Sequence, residues 1–286
     1  MSNTSPNSPT SPRRAATLPI AGGAGIPQIG LGTWPMNDDE ARVAVAGALR
    51  IGYRHVDTAE NYRNEVGVGQ GIRDAGVARE ELFVTTKFNK EWHSVDGART
   101  ACEASLQRLG LDYVDLLLIH WPNPAQDRYV QAFEGLLRLR DAGLVRAVGV
   151  SNFKIAHLQK LLDAGLTPQV NQIELSPTRP RRDLVALHRQ HGIVTESWSP
   201  LDRGGDLLKA QAVAGAAEAH GVTPAQVVLR WHVQQGLVAI PKSSDPERQR
   251  LNLDVFGFAL SAAEMAAIDQ LEDPSANLLD ADRFGH

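Results

Sequence analysis

The sequence predicts an α/β protein, a (β/α)8 barrel of the TIM-barrel type with an N-terminal β-hairpin. Three observations predict it. Eight short apolar stretches of strand length alternate with amphipathic stretches of helical period, and right-handed crossovers turn that pattern into a parallel sheet. A length of 286 residues with 43% apolar content suits one such unit. The reactive side chains fall at or just past the last apolar residue of successive stretches, positions that a closed barrel gathers at one mouth and an open sheet spreads along an edge.

The elements follow in order. Residues 1–15 are rich in Ser, Pro, Thr and Asn and cannot bury enough apolar surface to offset their ordering entropy, so a disordered tail is expected there and a single barrel domain over 16–286. Arg13 and Arg14 are followed by a stretch broken by Pro19 with no small-residue cleavage site, which argues against an export signal. From Thr17, two extended pieces around a glycine-rich turn form the hairpin. Residues 28–32 are the first barrel strand, and Asp38 and Asp39 cap a helix reaching about Arg50. Strands follow at 53–56, 82–87, 113–120, 145–150, 169–173, 193–198 and 237–240, separated by helices with turn signals. The stretch 113–120 is almost continuously apolar, as befits a strand buried on both faces.

Composition narrows the function. A net charge of -4 argues against a general nucleic-acid or anionic-membrane surface, and no apolar run approaches a membrane span. The single Cys102 rules out an internal disulfide or a multi-cysteine metal site and fits the cytoplasm. A metal-dependent hydrolase would need clustered ligands, yet the histidines show no His-x-His pair at a strand end, so no metal is expected. His188 and His191 read as surface residues of one helix.

Four residues stand out. Asp57 closes the second strand, Lys87 the third and His120 the fourth, while Tyr62 lies on the loop after Asp57. A lysine at the rim of an apolar barrel needs a counter-charge, which Asp57 can supply. An ammonium that also reaches Tyr62 favours the phenolate and makes the phenol a better proton donor. His120 can donate a hydrogen bond to the same substrate oxygen. Singly, each has a structural reading as an ion pair, a strand-end hydrogen bonder or packing.

The chain resembles the aldo-keto reductase superfamily. Gly30-Leu-Gly-Thr-Trp34, Asp57-Thr-Ala-Glu-Asn-Tyr-Arg-Asn-Glu65, Thr85-Thr-Lys87, Asp115-Leu-Leu-Leu-Ile-His-Trp-Pro122, Gly149-Val-Ser-Asn-Phe153, Asn171-Gln-Ile-Glu174 and Ile240-Pro-Lys-Ser243 match its motifs in order. The likeness is greatest to the branch containing 2,5-diketogluconate reductases. It implies a catalytic tetrad of Asp57, Tyr62, Lys87 and His120, and NADPH-dependent reduction of aldehydes, ketones or keto-sugars by hydride transfer with Tyr62 as the acid. It also implies that Ser151, Asn152 and Gln172 hold the nicotinamide carboxamide and that Trp198 stacks on the ring. On the same resemblance Thr33 and Trp34 would lie alongside, Ser199, Pro200 and Leu201 would line the pyrophosphate, and Lys242, Ser243, Arg248 and Asn252 would hold the adenosine end with its 2′-phosphate. Asp245 and Leu251 depart from the family pattern, so NADPH is expected to be preferred with NADH as a second cofactor. A Rossmann site is excluded, because Gly67-Val-Gly-Gln-Gly-Ile lies in a helix and ends in Ile72.

Trp34, Phe88 and Trp121 are expected to wall the substrate pocket, with Trp92 and His93 near its rim and the tail from 273 shaping it. The expected partner is a small carbonyl compound, not nucleic acid or a membrane, and the expected state is a monomer. The rival reading is a nucleotide-binding redox-sensor module with the same fold.

Overall fold

The computed structural model describes residues 15–20 and 25–285. The expected disordered tail lies outside the described residues apart from Ala15, which packs against the core; the hairpin tip at 21–24 is outside them too. β1 (Thr17–Pro19) and β2 (Gly25–Pro27) pair antiparallel with Leu18 opposite Ile26. Ile20 and Ile26 join Phe83, Leu116, Leu118, Val170 and Val238 in one buried cluster, so the hairpin acts as a stopper for one end of the barrel.

Eight parallel strands follow in sequence order: β3 (Leu31–Gly32), β4 (His55–Asp57), β5 (Phe83–Phe88), β6 (Val114–Ile119), β7 (Val145–Ser151), β8 (Val170–Glu174), β9 (Val194–Trp198) and β10 (Val238–Ala239). The sheet closes on itself. Gly30 N–H donates to Ala239 O at 3.0 Å and Gly32 N–H to Pro241 O at 3.2 Å, with parallel bridges pairing Ile29 to Ala239 and Gly32 to Lys242. Glycine is needed at this seam: a Cβ on Gly30 would lie 2.7 Å from His55 Nδ1.

Among the described residues ten helices surround the ring: α1 (Asp38–Ile51), α2 (Glu65–Ala75), α3 (Val95–Leu109), α4 (Tyr129–Asp141), α5 (Ile155–Asp163), α6 (Arg182–His191), α7 (Gln211–His220), α8 (Pro224–Gln234), α9 (Pro246–Leu253) and α10 (Ala262–Asp269). Between them and the sheet lies the main apolar core, Cys102 included. Two expectations are corrected here. Asn37, not Asp38 or Asp39, caps α1: its side chain accepts from Glu40 N at 2.9 Å and Glu40 accepts from Asn37 N at 3.0 Å. Asp38 instead accepts from Gly67 N at 2.6 Å. His188 is buried, because it follows Leu184 by one helical turn on the face of α6 that packs inward. Its Nδ1 lies 2.7 Å from Thr195 Oγ1, and burial pushes its pKa down to about 3.

The glycine run in α2 has a packing cause. A Cβ on Gly67 would lie 2.0 Å from Asp38 O, and one on Gly69 would lie 1.9 Å from Leu109 O, so α2 touches both neighbours backbone to backbone. Among the described residues no helix is long and apolar enough to cross a membrane. No group of three or more His, Cys, Asp or Glu among them could hold a metal ion.

Candidate active site

Alternation along each strand decides which side chains enter the barrel. On β5, Phe83, Thr85 and Lys87 point inward while Val84 and Phe88 face the helices. On β4, His55 and Asp57 point inward and Val56 outward. The fully buried Lys87 uses all three of its ammonium hydrogens: Nζ donates to Asp57 Oδ1 at 2.7 Å, to Thr58 O at 2.9 Å and to the Tyr62 hydroxyl at 3.4 Å. Asp57 Oδ2 accepts from Gln172 Nε2 at 2.8 Å. Tyr62 ends the short 3-10 turn Glu60–Tyr62 and meets His120 edge to face, ring centroids 5.8 Å apart. All four residues of the expected tetrad therefore share one cleft.

The loop carrying Tyr62 is braced at three points. Thr58 Oγ1 donates to Asn64 Oδ1 at 2.9 Å, Asn64 Nδ2 donates to Met36 O at 2.9 Å, and Trp92 Nε1 donates to Glu60 Oε1 at 2.8 Å. Burial pushes the Tyr62 phenol above its ordinary value, and Lys87 pulls it part of the way back by charge and hydrogen bond. A cation alone was expected to bring the phenol toward neutrality, and desolvation is the larger effect. Burial also works against the Lys87 ammonium, yet Asp57 and Tyr62 hold it above the usual lysine value.

A polar belt continues from Asp57 around the mouth. Ser151 Oγ donates to Gln172 O at 3.0 Å, Asn152 Nδ2 donates to Ser151 Oγ at 3.0 Å and to His120 O at 3.1 Å, and Trp198 Nε1 donates to Asn152 Oδ1 at 2.9 Å. Asn152 holds φ at 64° and Ser199 at 50°, both left-handed. Trp198, Ser199 and Leu201 are half-buried and Pro200 is buried. Farther along, Lys242 and Arg248 are exposed beside the start of α9, while Ser243 and Asn252 are buried. Asp245 caps that helix by accepting from Arg248 N at 2.8 Å. The whole track suits an elongated ligand with a flat ring at the barrel mouth and an anionic group at the cationic corner.

A sequence profile described as the Aldo/keto reductase family matches residues 23–273. The chain belongs to that family. The reductase is 49% identical over 257 residues to 2,5-diketo-D-gluconic acid reductase B of Corynebacterium sp., covering 90% of this chain and 93% of that one. It is 46% identical over 262 residues to methylglyoxal reductase DkgA of Escherichia coli, covering 91% and 94%. A crystal structure of a Gox0644 variant in complex with NADPH aligns with a TM-score of 0.89 at 43% identity, covering 94% and 98%.

Other expected site residues of the reductase stand differently. Phe88 is not part of the pocket wall: one residue past Lys87, it points to the opposite face of β5 and is fully buried in the outer core. His93 is buried behind Phe88, centroids 6.1 Å apart, rather than at the rim, and Trp92 is half-buried. Thr33 is also buried, and its Oγ1 and N both donate to Asp57 O, at 3.0 and 3.1 Å, so it fixes the end of β4. Gln172 gives an amide hydrogen to Asp57. Trp34 is 55% exposed on the loop after β3, whereas Trp121 is covered by Phe284, centroids 4.8 Å apart. Lys154 pairs with both Asp280 and Asp282, and His157 Nε2 lies 2.9 Å from Asp282 Oδ1, so the C-terminal segment is pinned over α5 with Phe284 at the mouth.

Sequence reasoning passes over two buried groups of the reductase, His55 and Glu196. Glu196 is fully buried at the middle of β9, and its Oε1 lies 3.5 Å from His55 Nε2. The signal was available. Each stands two residues before a singled-out side chain, Asp57 and Trp198, and a period of two puts both on the inward face.

Proposed function

We propose that the reductase converts aldehydes, ketones or keto-sugars to alcohols with NADPH, and that Tyr62 delivers the proton. The observation that carries this reading is the sealed Lys87 ammonium, which touches Asp57 at 2.7 Å and the Tyr62 hydroxyl at 3.4 Å. Trp198, Asn152, Lys242 and Arg248 would hold NADPH along the track, and the cofactor would supply the hydride for the carbonyl carbon. Tyr62 gives its proton to the oxygen as negative charge develops there, and Lys87 stabilises the phenolate left behind. Asp57 fixes the ammonium, and His120 orients the carbonyl beside Tyr62.

The cofactor reading rests on the half-buried Trp198 held by Asn152, the amides around it, and the exposed Lys242 and Arg248. With Asp245 engaged as a helix cap, its charge is partly spent on Arg248 N, which supports NADPH over NADH. The NADPH-bound relative supports the same cofactor, and relatives named for methylglyoxal and 2,5-diketogluconate support small polar carbonyl compounds. Nothing favours a redox-sensor module, which needs nucleotide affinity but no phenol beside a buried ammonium. One chain supplies every residue of the site, so a monomer suffices, and the buried Cys102 thiol suits a cytoplasmic setting.

The test is Tyr62→Phe. Reduction of methylglyoxal should fall by about a thousandfold while NADPH still binds, the size expected when a general acid is lost. Turnover within tenfold of the parent protein would remove Tyr62 from this role.

A further inference from the structure

Below the ion pair of Asp57 and Lys87 the barrel holds a second buried acid, Glu196. Glu196 pairs in register with Gln172 on β8 and Val238 on β10, and none of its surface reaches solvent. The groups facing it are His55 and Asp57 on β4, Lys87 on β5, Gln172 on β8 and Tyr62 above, while β10 offers only Val238. Lys87 has no hydrogen left for it, since Asp57, Thr58 and Tyr62 take all three. Neither carboxyl oxygen makes a hydrogen bond of normal geometry.

His55 narrows the choice further. Its Nδ1 lies 3.3 Å from Pro27 O, a carbonyl that can only accept, so Nδ1 carries the hydrogen and Nε2 of the neutral ring is an acceptor. That acceptor faces Thr85 Oγ1 at 3.2 Å and Glu196 Oε1 at 3.5 Å. An ionised Glu196 would set a carboxylate against a lone pair. The alternative, a charged His55 beside a charged Glu196, needs the short, well-bonded geometry that keeps buried ion pairs stable, and a 3.5 Å contact, with only the Gln172 amide that already serves Asp57 beside it, does not give it.

We propose that Glu196 is a positioning residue for the reaction, a buried acid kept neutral so that the single ammonium of Lys87 has Asp57 as its one anionic partner and keeps its bond to the Tyr62 hydroxyl. The inference rests on the tetrad reading above. Burial, with the charge of Asp57 behind it, pushes Glu196 well above the ordinary carboxylic acid range, and burial pushes His55 down to about 4. Once Glu196 ionises, its charge opposes ionisation of Tyr62. Glu196 therefore sets the pH at which the phenolate becomes available.

The reverse reaction reads this out, because the alcohol gives its hydroxyl proton to the Tyr62 phenolate and its hydride to NADP+. With saturating NADP+ and an alcohol product of a substrate the protein reduces, the rate rises with pH as the phenolate forms. In Glu196→Gln that rise should move to lower pH by about one unit, an about tenfold faster rate at a fixed pH on the limb. Glu196→Ala should shift it in the same direction, which separates lost charge from lost shape. Independently, the ultraviolet difference between each protein and its Tyr62→Phe counterpart isolates phenolate formation at Tyr62 without turnover, and it should show the same shift. A limb and a difference titration that stay in place, or move to higher pH, in whichever variant folds would overturn the proposal. Full turnover in Tyr62→Phe would instead sink the tetrad reading, so the two failures are distinguishable.

Discussion

The same strands build two unlike halves of the barrel interior. Toward the hairpin, Phe83, Leu116, Leu118, Val170 and Val238 close over Ile20 and Ile26 in one apolar cluster. About two residues further along β5, β8 and β9, some 7 Å of strand, the inward positions become Thr85, Lys87, Gln172 and Glu196, and β4 adds Asp57 with His55, which starts that strand in register with Phe83. The difference teaches how a soft reaction field is made: the apolar half excludes water from below, so the charges above act on one another at low dielectric. Those charges then tolerate one another only in matched sets.

The severest way to break the contrast is to make the upper half apolar. Lys87→Met keeps much of the volume, removes the ammonium and leaves Asp57 without its cation. Carbonyl reduction should drop by about a thousandfold or more, with a loss of stability of about 3–5 kcal/mol from the uncompensated charge. Retained turnover in steady-state assays would mean that Tyr62 needs no cation. The complementary change is Leu116→Ala in the lower half, fully buried and in register with Thr85 on β5 and Ala147 on β7. A cavity there should lower unfolding free energy by about 2–5 kcal/mol in a denaturant titration. Turnover at a temperature where the variant is folded should change far less than in Lys87→Met, because the ammonium keeps its bonds to Asp57, Thr58 and Tyr62.

How much of this was legible in the sequence follows from the same division. Asp57, Lys87 and His120 end apolar stretches, so their convergence at one mouth follows from closure alone. Phe88 was misplaced because nearness in sequence to Lys87 was taken as nearness in space, whereas adjacent strand residues face opposite ways. His188 was misread for want of knowing which face of α6 packs inward. Glu196 and His55 went unremarked because attention stopped at strand ends, one inward position too early. Asn37 takes the cap because Glu40 lies three residues after it, a spacing visible in the sequence beside two competing aspartates. The seam at Gly30 and Gly32 is different in kind: only the closed ring shows how near His55 and Ile240 lie.

The gentlest test makes the upper half resemble the lower by one charge. Burial raises Glu196 above the value it has in the unfolded chain, so between the two values the native protein holds a proton that the unfolded chain has released. Stability from this group is therefore full at acid pH and is lost as pH climbs toward the folded value. Glu196→Gln lacks that slope. The buried neutral His93, His188 and His232, pushed down to about 4, 3 and 4, give the opposite slope as pH falls below the ordinary histidine range. They are common to both proteins and cancel in the difference. The Tm of Glu196→Gln minus that of the parent should thus grow from pH 5 to pH 8 by a few degrees, equivalent to about 2 kcal/mol. A difference that stays flat across that range would show Glu196 already ionised in the fold, and the acid below the tetrad would then be a charge that the barrel has found some other way to bear.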